Sequence, residues 1–339
     1  MCKREISYID IKCRVHWRKK AGNKVSEEYM ISILFQIIIL VCSLIILGKL
    51  SQIVLNSIEK ILTATGVSEA FFGVSVLAIM TGLPEITVAY FSIQAGDPGL
   101  TIGDLFGSNV VNICLVLGIG ALLAPLSKCC SKAVIELSDI LLLISIIPLS
   151  LLVLEEISPY VGLILLFLFP LVMYIMNRKS VRLPKSKIPD HKDDKLKISV
   201  ITLILGMVGI IISARFTVTS SLSLVSLLGI PSILFGAKII ALGTSLPELS
   251  IDLAAFRRGR GLLAMSEIAG SNLVNMTLVL GGVLLSSSLA INKVIFAQII
   301  PFTVLSSLLL WYFLVKQGGI PQYGGIAFIL IYVIFQAML

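Results

Sequence analysis

The sequence predicts an all-α polytopic membrane protein with about ten transmembrane helices, arranged as two inverted five-helix repeats. Three observations predict it: composition, the number of apolar segments, and an internal repeat. Of 339 residues, 57% are hydrophobic and 14% charged, with a mean hydropathy of +1.03. A soluble globular domain carries roughly 25% charged residues, so the bilayer is the solvent this chain is built for. A transmembrane helix needs about 20 mostly apolar residues. Such segments begin near residues 31, 70, 101, 134, 158, 198, 232, 264, 292 and 322, and those between 215 and 256 run together.

The repeat is found at an offset of 163 residues, which aligns positions 66–122 with 229–285 without a gap. Gly66, Gly73, Thr81, Pro84, Glu85, Gly96, Gly107, Ser108, Asn109 and Asn112 recur as Gly229, Gly236, Thr244, Pro247, Glu248, Gly259, Gly270, Ser271, Asn272 and Asn275. Five spans between equivalent positions turn the second copy upside down relative to the first, the inverted-repeat plan of many secondary transporters. The expected organisation is a basic N-terminal tail (1–29), a first membrane repeat (30–176), a linker (177–197) and a second, inverted repeat (198–339).

Charge sets the expected orientation. The linker, NRKSVRLPKSKIPDHKDDKLK, carries eight Lys or Arg and is expected to be cytoplasmic by the positive-inside rule. The connections on that side then also hold Lys49, Lys60, Lys128, Lys132, Arg257, Arg258, Arg260 and Lys316, whereas Arg215 and Lys293 fall outside. The tail is the exception, because its eight Lys or Arg would lie outside. Translation from Met30 and a genuine, poorly ordered tail are the two readings of it. The net charge of +8 lies in short connections between apolar spans, which argues for topology and against nucleic-acid binding. Cys2, Cys13, Cys42, Cys114, Cys129 and Cys130 form no CxxC pair, and His16 and His191 lie outside the spans. No zinc, haem, disulfide framework or other cofactor is expected.

In each repeat a Thr precedes a Glu by four residues, Thr81 before Glu85 and Thr244 before Glu248, so both side chains share a helix face. Gly82 and Pro84, like Gly243 and Pro247, weaken the helix at that point, and proline removes an amide donor. Carbonyl oxygens near Thr81 and Thr244 are then free to turn towards a ligand, and irregular backbone at membrane depth is tolerated where it lines a cavity. An ionised carboxylate in mid-membrane costs roughly 2.5–3.5 kcal/mol on insertion scales, so two facing each other call for a cation. Ca2+ takes about 6–8 oxygens; two bidentate carboxylates and two carbonyls supply about six. Two carboxylates also balance one Ca2+ or two Na+. Ser108 and Asn112, like Ser271 and Asn275, are again four apart, and their neutral oxygens suit Na+ as well as Ca2+. A membrane Ser, Asn, Gly or Pro is by itself most often a packing residue, whereas an intramembrane carboxylate is functional by default. Hard oxygen donors without thiolate or imidazole argue against zinc and copper.

These two segments resemble the alpha repeats of the Ca2+/cation antiporter superfamily, in particular the prokaryotic sodium/calcium exchangers, whose signature is GTSLPE followed by GSNxxN. The second copy carries ALGTSLPE and GSNLVN intact. The resemblance implies two inverted five-helix halves with ion sites between them at mid-membrane. It makes Glu85 and Glu248 the central Ca2+ ligands, gives Thr81 and Thr244 backbone-carbonyl roles, and completes neighbouring Na+ sites with Ser245, Ser108, Ser271, Asn112 and Asn275. The implied activity is antiport of Ca2+ against Na+ in the cell membrane, by alternating access. A Ca2+/H+ antiporter of the same architecture is the near alternative. An intramembrane enzyme would need a nucleophile with a base, or clustered Arg, and no such set lies at membrane depth, so no enzymatic activity is expected.

The chain departs from that pattern in three places. MTGLPE puts Gly82 where the second copy has Ser245, removing one hydroxyl and with it the basis of the usual Na+ stoichiometry. Asp104 and its counterpart Glu267 stand where many members carry Asn, read either as carboxylates favoured by a helix N-terminal dipole near the interface or as an outer cation-attracting or protonatable pair. Lys238 lies six residues before Thr244 in an apolar run and is expected to snorkel to the outer interface, or else to place a fixed cation near the site.

Overall fold

The computed structural model describes residues 29–54, 56–57, 60, 79–123, 126–127, 132–149, 159–179, 193–259, 261–286 and 293–339. The N-terminal tail, most of the linker and the start of the second span lie outside these residues, as do the expectations placed on them.

Among the described residues the helices follow one another in two halves, and five of them, or six with one bent pair, are long and apolar enough to cross a membrane. The first half contains α1 (Tyr29–Val54), α2 (Leu83–Gln94), α3 (Pro98–Leu123), α4 (Lys132–Ile146) and α5 (Pro159–Lys179). The second contains α6 (Asp193–Leu228), the broken pair α7 (Ser232–Thr244) and α8 (Leu246–Arg257), α9 (Gly261–Ser286), α10 (Lys293–Gln317) and α11 (Gln322–Met338). The helices form because lipid offers no partner to a free N–H or C=O, so each span satisfies its own backbone. The segments that run together in the sequence are separated at Gly229, which takes φ +66° to turn from α6 into α7.

Burial sorts the spans into two layers. In α3 and α9, 83% of the apolar window is buried, against 22% in α1 and 28% in α6. The two repeat-equivalent helices α3 and α9 are therefore the core, while α1 and α6 present Leu34, Phe35, Ile38, Leu205, Ile212 and Phe216 outward as lipid-facing surface. α1 and α6 also pair with each other: Thr217 Oγ1 donates to Ser43 Oγ at 2.9 Å, and the Tyr29 hydroxyl donates to the Leu227 carbonyl. At one end the halves are joined by a short antiparallel pairing of β1 (Leu126–Ser127) with β2 (Gly319–Ile320).

The core helices approach so closely that glycine is required. A Cβ at Gly236 of α7 would lie 2.1 Å from the Leu100 carbonyl oxygen of α3, and one at Gly103 of α3 would lie 1.9 Å from that of Ile233. Both distances are far inside van der Waals contact. This backbone-to-backbone seating holds α7 of the second repeat against α3 of the first and fixes the position of α8 that follows.

Candidate ion site between the repeats

Both repeats break their signature helix at the same point. Gly82 (φ −74°, ψ 5°) precedes α2, and Ser245 (φ −79°, ψ 6°) separates α7 from α8, so repeat-equivalent residues have nearly the same non-helical backbone. Pro84 and Pro247 fall in the first turn beyond the break, where their missing amides cost nothing. The second repeat bends by 47° there. Glu85 and Glu248 occupy the first turns of α2 and α8, and both are fully buried. The two lie within electrostatic range of each other.

All nine residues singled out in the sequence are buried: Thr81, Glu85, Ser108, Asn112, Thr244, Glu248, Ser271 and Asn275 at 0% exposure and Ser245 at 1%. Their partners divide them. Ser271 Oγ donates to Glu248 Oε1 at 3.4 Å, whereas Ser108 Oγ lies 3.3 Å from both Asp104 Oδ1 and Thr244 Oγ1. The Ser245 hydroxyl, both Glu85 carboxylate oxygens and Glu248 Oε2 have no hydrogen-bond partner. Among the described residues no three His, Cys, Asp or Glu side chains form a cluster able to hold a metal ion. An ion between Glu85 and Glu248 must therefore complete its shell with neutral oxygens, which are what the surrounding Ser, Thr and Asn residues offer.

The Asn residues are arranged by a feature the sequence did not disclose. Asn112 Nδ2 donates to Asn272 Oδ1 at 3.0 Å, and Asn275 Nδ2 donates to Asn109 Oδ1 at 3.4 Å. The repeat offset exchanges these two bonds, so they are one contact seen twice through the pseudo-twofold axis. With the amide nitrogens engaged, the Oδ1 atoms of Asn112 and Asn275 are left without a partner in the buried core. Here α3 and α9 widen into π-helical turns, Val111–Val116 and Asn275–Val279, a distortion frequent at functional sites. Asn109 and Asn272 recur in the repeat, but they sit one position off the Ser/Asn face, and only the tertiary fold shows that they orient it.

Asp104 and Glu267 are not helix-terminal carboxylates at an interface. Each is the seventh residue of its helix and is buried, at 0% and 4% exposure, which removes the dipole reading. Asp104 Oδ1 accepts from Thr244 Oγ1 at 2.9 Å, and Glu267 stands beside Thr81 in the equivalent place. A further carboxylate, Asp252 in α8, is fully buried and faces Glu267. Its repeat counterpart is Ala89, so comparing the two copies could not single it out. Lys238 sits half-buried in a third π-helical turn, Gly236–Ile240.

Comparison with known proteins bears on what such a site carries. The model of the family described as sodium/calcium exchanger protein matches residues 35–177 and 198–339. An uncharacterised membrane protein of Methanocaldococcus jannaschii is 31% identical, over 83% of this chain and 90% of its own. The sodium/calcium exchanger MaX1 of Methanosarcina acetivorans is 28% identical, over 91% and 99%. Among solved structures, the sodium-calcium exchanger NCX_Mj soaked with 2.5 mM Na+ and 10 mM Sr2+ is similar, with a TM-score of 0.65 and 29% identity, over 91% of this chain and 99% of that one. Matched along both halves, with the signature sequence intact in the second and a broken helix at the equivalent place in each, the chain belongs to the sodium/calcium exchanger family.

Proposed function

We propose that this sodium/calcium antiporter moves its ions by alternating access at the layer between Glu85 and Glu248. The observation that carries the reading is the pair of buried carboxylates, within electrostatic range of each other and set on helices broken at equivalent residues. Ca2+ is held by the two carboxylates together with carbonyl oxygens at the breaks near Thr81 and Thr244. Na+ ions take overlapping positions completed by Ser108, Ser245, Ser271, Asn112 and Asn275. Because Ca2+ and Na+ use the same carboxylates, they compete, and competition couples their fluxes. Unneutralised carboxylates in the core oppose the sliding of the gating helices, so the empty transporter does not cycle. The two membrane halves (30–176 and 198–339) act as the inverted units, in the cell membrane, with the basic linker on the cytoplasmic side. With an inward Na+ gradient the net movement is Ca2+ extrusion.

The test is 45Ca2+ uptake into proteoliposomes loaded with Na+, compared with vesicles carrying a pH gradient and no Na+. Uptake driven by internal Na+ is expected. Uptake driven only by the pH gradient would replace Na+ by H+ as the coupling ion.

A further inference from the structure

The site holds more carboxylates than one Ca2+ balances. Glu85, Asp104, Glu248, Asp252 and Glu267 are all buried, and among the described residues no Lys or Arg is paired with any of them. Asp104 is supported by hydroxyl donors from Thr244 and Ser108. Asp252 has no such support, and Glu267 has only the Thr81 hydroxyl beside it. The two carboxylates face each other across the contact between α8 and α9, at 0% and 4% exposure, and none of their four oxygens has a hydrogen-bond partner. While both are ionised neither can satisfy the other, because ionised carboxylates only accept hydrogen bonds. Two buried like charges persist side by side only if something positive lies between them.

Asp252 lies four residues beyond Glu248, one helical turn towards the connection that carries Arg257 and Arg258. Glu267 lies four residues before Ser271, on the same side of the Glu85–Glu248 layer. Both carboxylates interact with Glu248, so the pair adjoins the central site while being distinct from it. The arrangement is one-sided: the first repeat offers Ala89 where the second has Asp252.

We propose that Asp252 and Glu267 form a second cation position, on the α8–α9 side of the central site, for which Ca2+ is the charge-matched occupant. The proposal rests on the Glu85–Glu248 reading of the central site. Hard oxygen donors and a combined charge of −2 select a hard cation, and two carboxylates leave the rest of its shell to water or backbone oxygens. An ion waiting there would feed or drain the central site from one membrane face only, making the two directions of transport unequal in their dependence on Ca2+.

The experiment counts Ca2+ bound to the purified full-length protein by equilibrium dialysis with 45Ca2+ in Na+-free buffer. The wild type is expected to bind two Ca2+ per chain. Asp252→Asn with Glu267→Gln, and Asp252→Ala, which restores the residue of the other repeat, should each bind one. Glu85→Gln with Glu248→Gln should also retain one. A single Ca2+ in the wild type, unchanged by the Asp252 and Glu267 substitutions, would overturn the second position, leaving a proton as the bridge. Two Ca2+ retained by the Asp252→Asn, Glu267→Gln protein would overturn it equally. The wild-type count needs no variant to fold. Absence of Ca2+ binding in the wild type would instead overturn the central reading itself.

Discussion

Asp104 Oδ1 accepts a hydrogen bond from Thr244 Oγ1 at 2.9 Å, joining core helix α3 of the first repeat to the break in the signature helix of the second. Both residues are fully buried, and Ser108 Oγ approaches the same carboxylate oxygen at 3.3 Å. Asp104 thereby fixes two hydroxyls from opposite repeats and adds a negative charge beside Glu85. Hydrogen bonds to a charged group are worth about 1.5–3 kcal/mol, so Asp104→Asn should raise the half-saturating Ca2+ concentration by roughly tenfold or more. Initial rates of exchange against external Ca2+ check this, and an unchanged half-saturation would remove Asp104 from the site.

The exchanged pair of amide contacts makes a second prediction. Asn272→Ala removes the acceptor for Asn112 Nδ2 and frees that side chain to turn its oxygen away from the site. Loss of one neutral hydrogen bond amounts to about 1 kcal/mol, so the half-saturating Na+ concentration should rise about fivefold, with the protein still folded. Asn109→Ala should do the same through Asn275. The Na+ dependence of 45Ca2+ flux measures both.

Gly82 is the point at which the two repeats differ in ligand supply. Ser245 has a buried, unpartnered hydroxyl, and Gly82, with a closely similar backbone, has none. Gly82→Ser supplies the missing oxygen. It should steepen the Na+ dependence and increase the charge moved per Ca2+, read as transport current in a solid-supported membrane against 45Ca2+ flux. Identical steepness and charge in the variant would show that the first-repeat hydroxyl plays no part in stoichiometry.

The close seating of α3 on α7 is a prediction about stability. A Cβ at Gly236 would lie 2.1 Å from the Leu100 carbonyl oxygen, a backbone atom that cannot rotate away. Overpacking a close-packed core costs about 1–3 kcal/mol even where side chains can adjust, so Gly236→Val should lower the melting temperature in detergent and weaken Ca2+ binding together. Gly282→Ala is the control, because nothing lies within 4 Å of a Cβ there.

Much of this architecture can be read from the residues. The apolar spans and the 163-residue repeat predict the ten helices, and the Thr-x-x-x-Glu and Ser-x-x-x-Asn spacings lead to the buried residues between the halves. What escapes the sequence is what depends on contact between repeats. Asn109 and Asn272 lie beside the Ser/Asn face and orient it only after the two halves meet. Asp252 has no counterpart in the first repeat, so the symmetry that exposes the paired Thr, Glu, Ser and Asn residues conceals it. Asp104 and Glu267 resemble helix-terminal residues until the helix starts are placed six residues earlier. The π-helical turns carry no period that distinguishes them from ordinary α-helix.

The central claim is that Glu85 and Glu248 together form the Ca2+ site. The most direct measurement is Na+-gradient-driven 45Ca2+ uptake by wild type, Glu85→Gln and Glu248→Gln in proteoliposomes, each shown by size exclusion to be monodisperse. Each substitution keeps the side-chain shape and removes one charge of the pair, so uptake should fall to the protein-free background in both variants. Wild-type uptake in either one would contradict the claim.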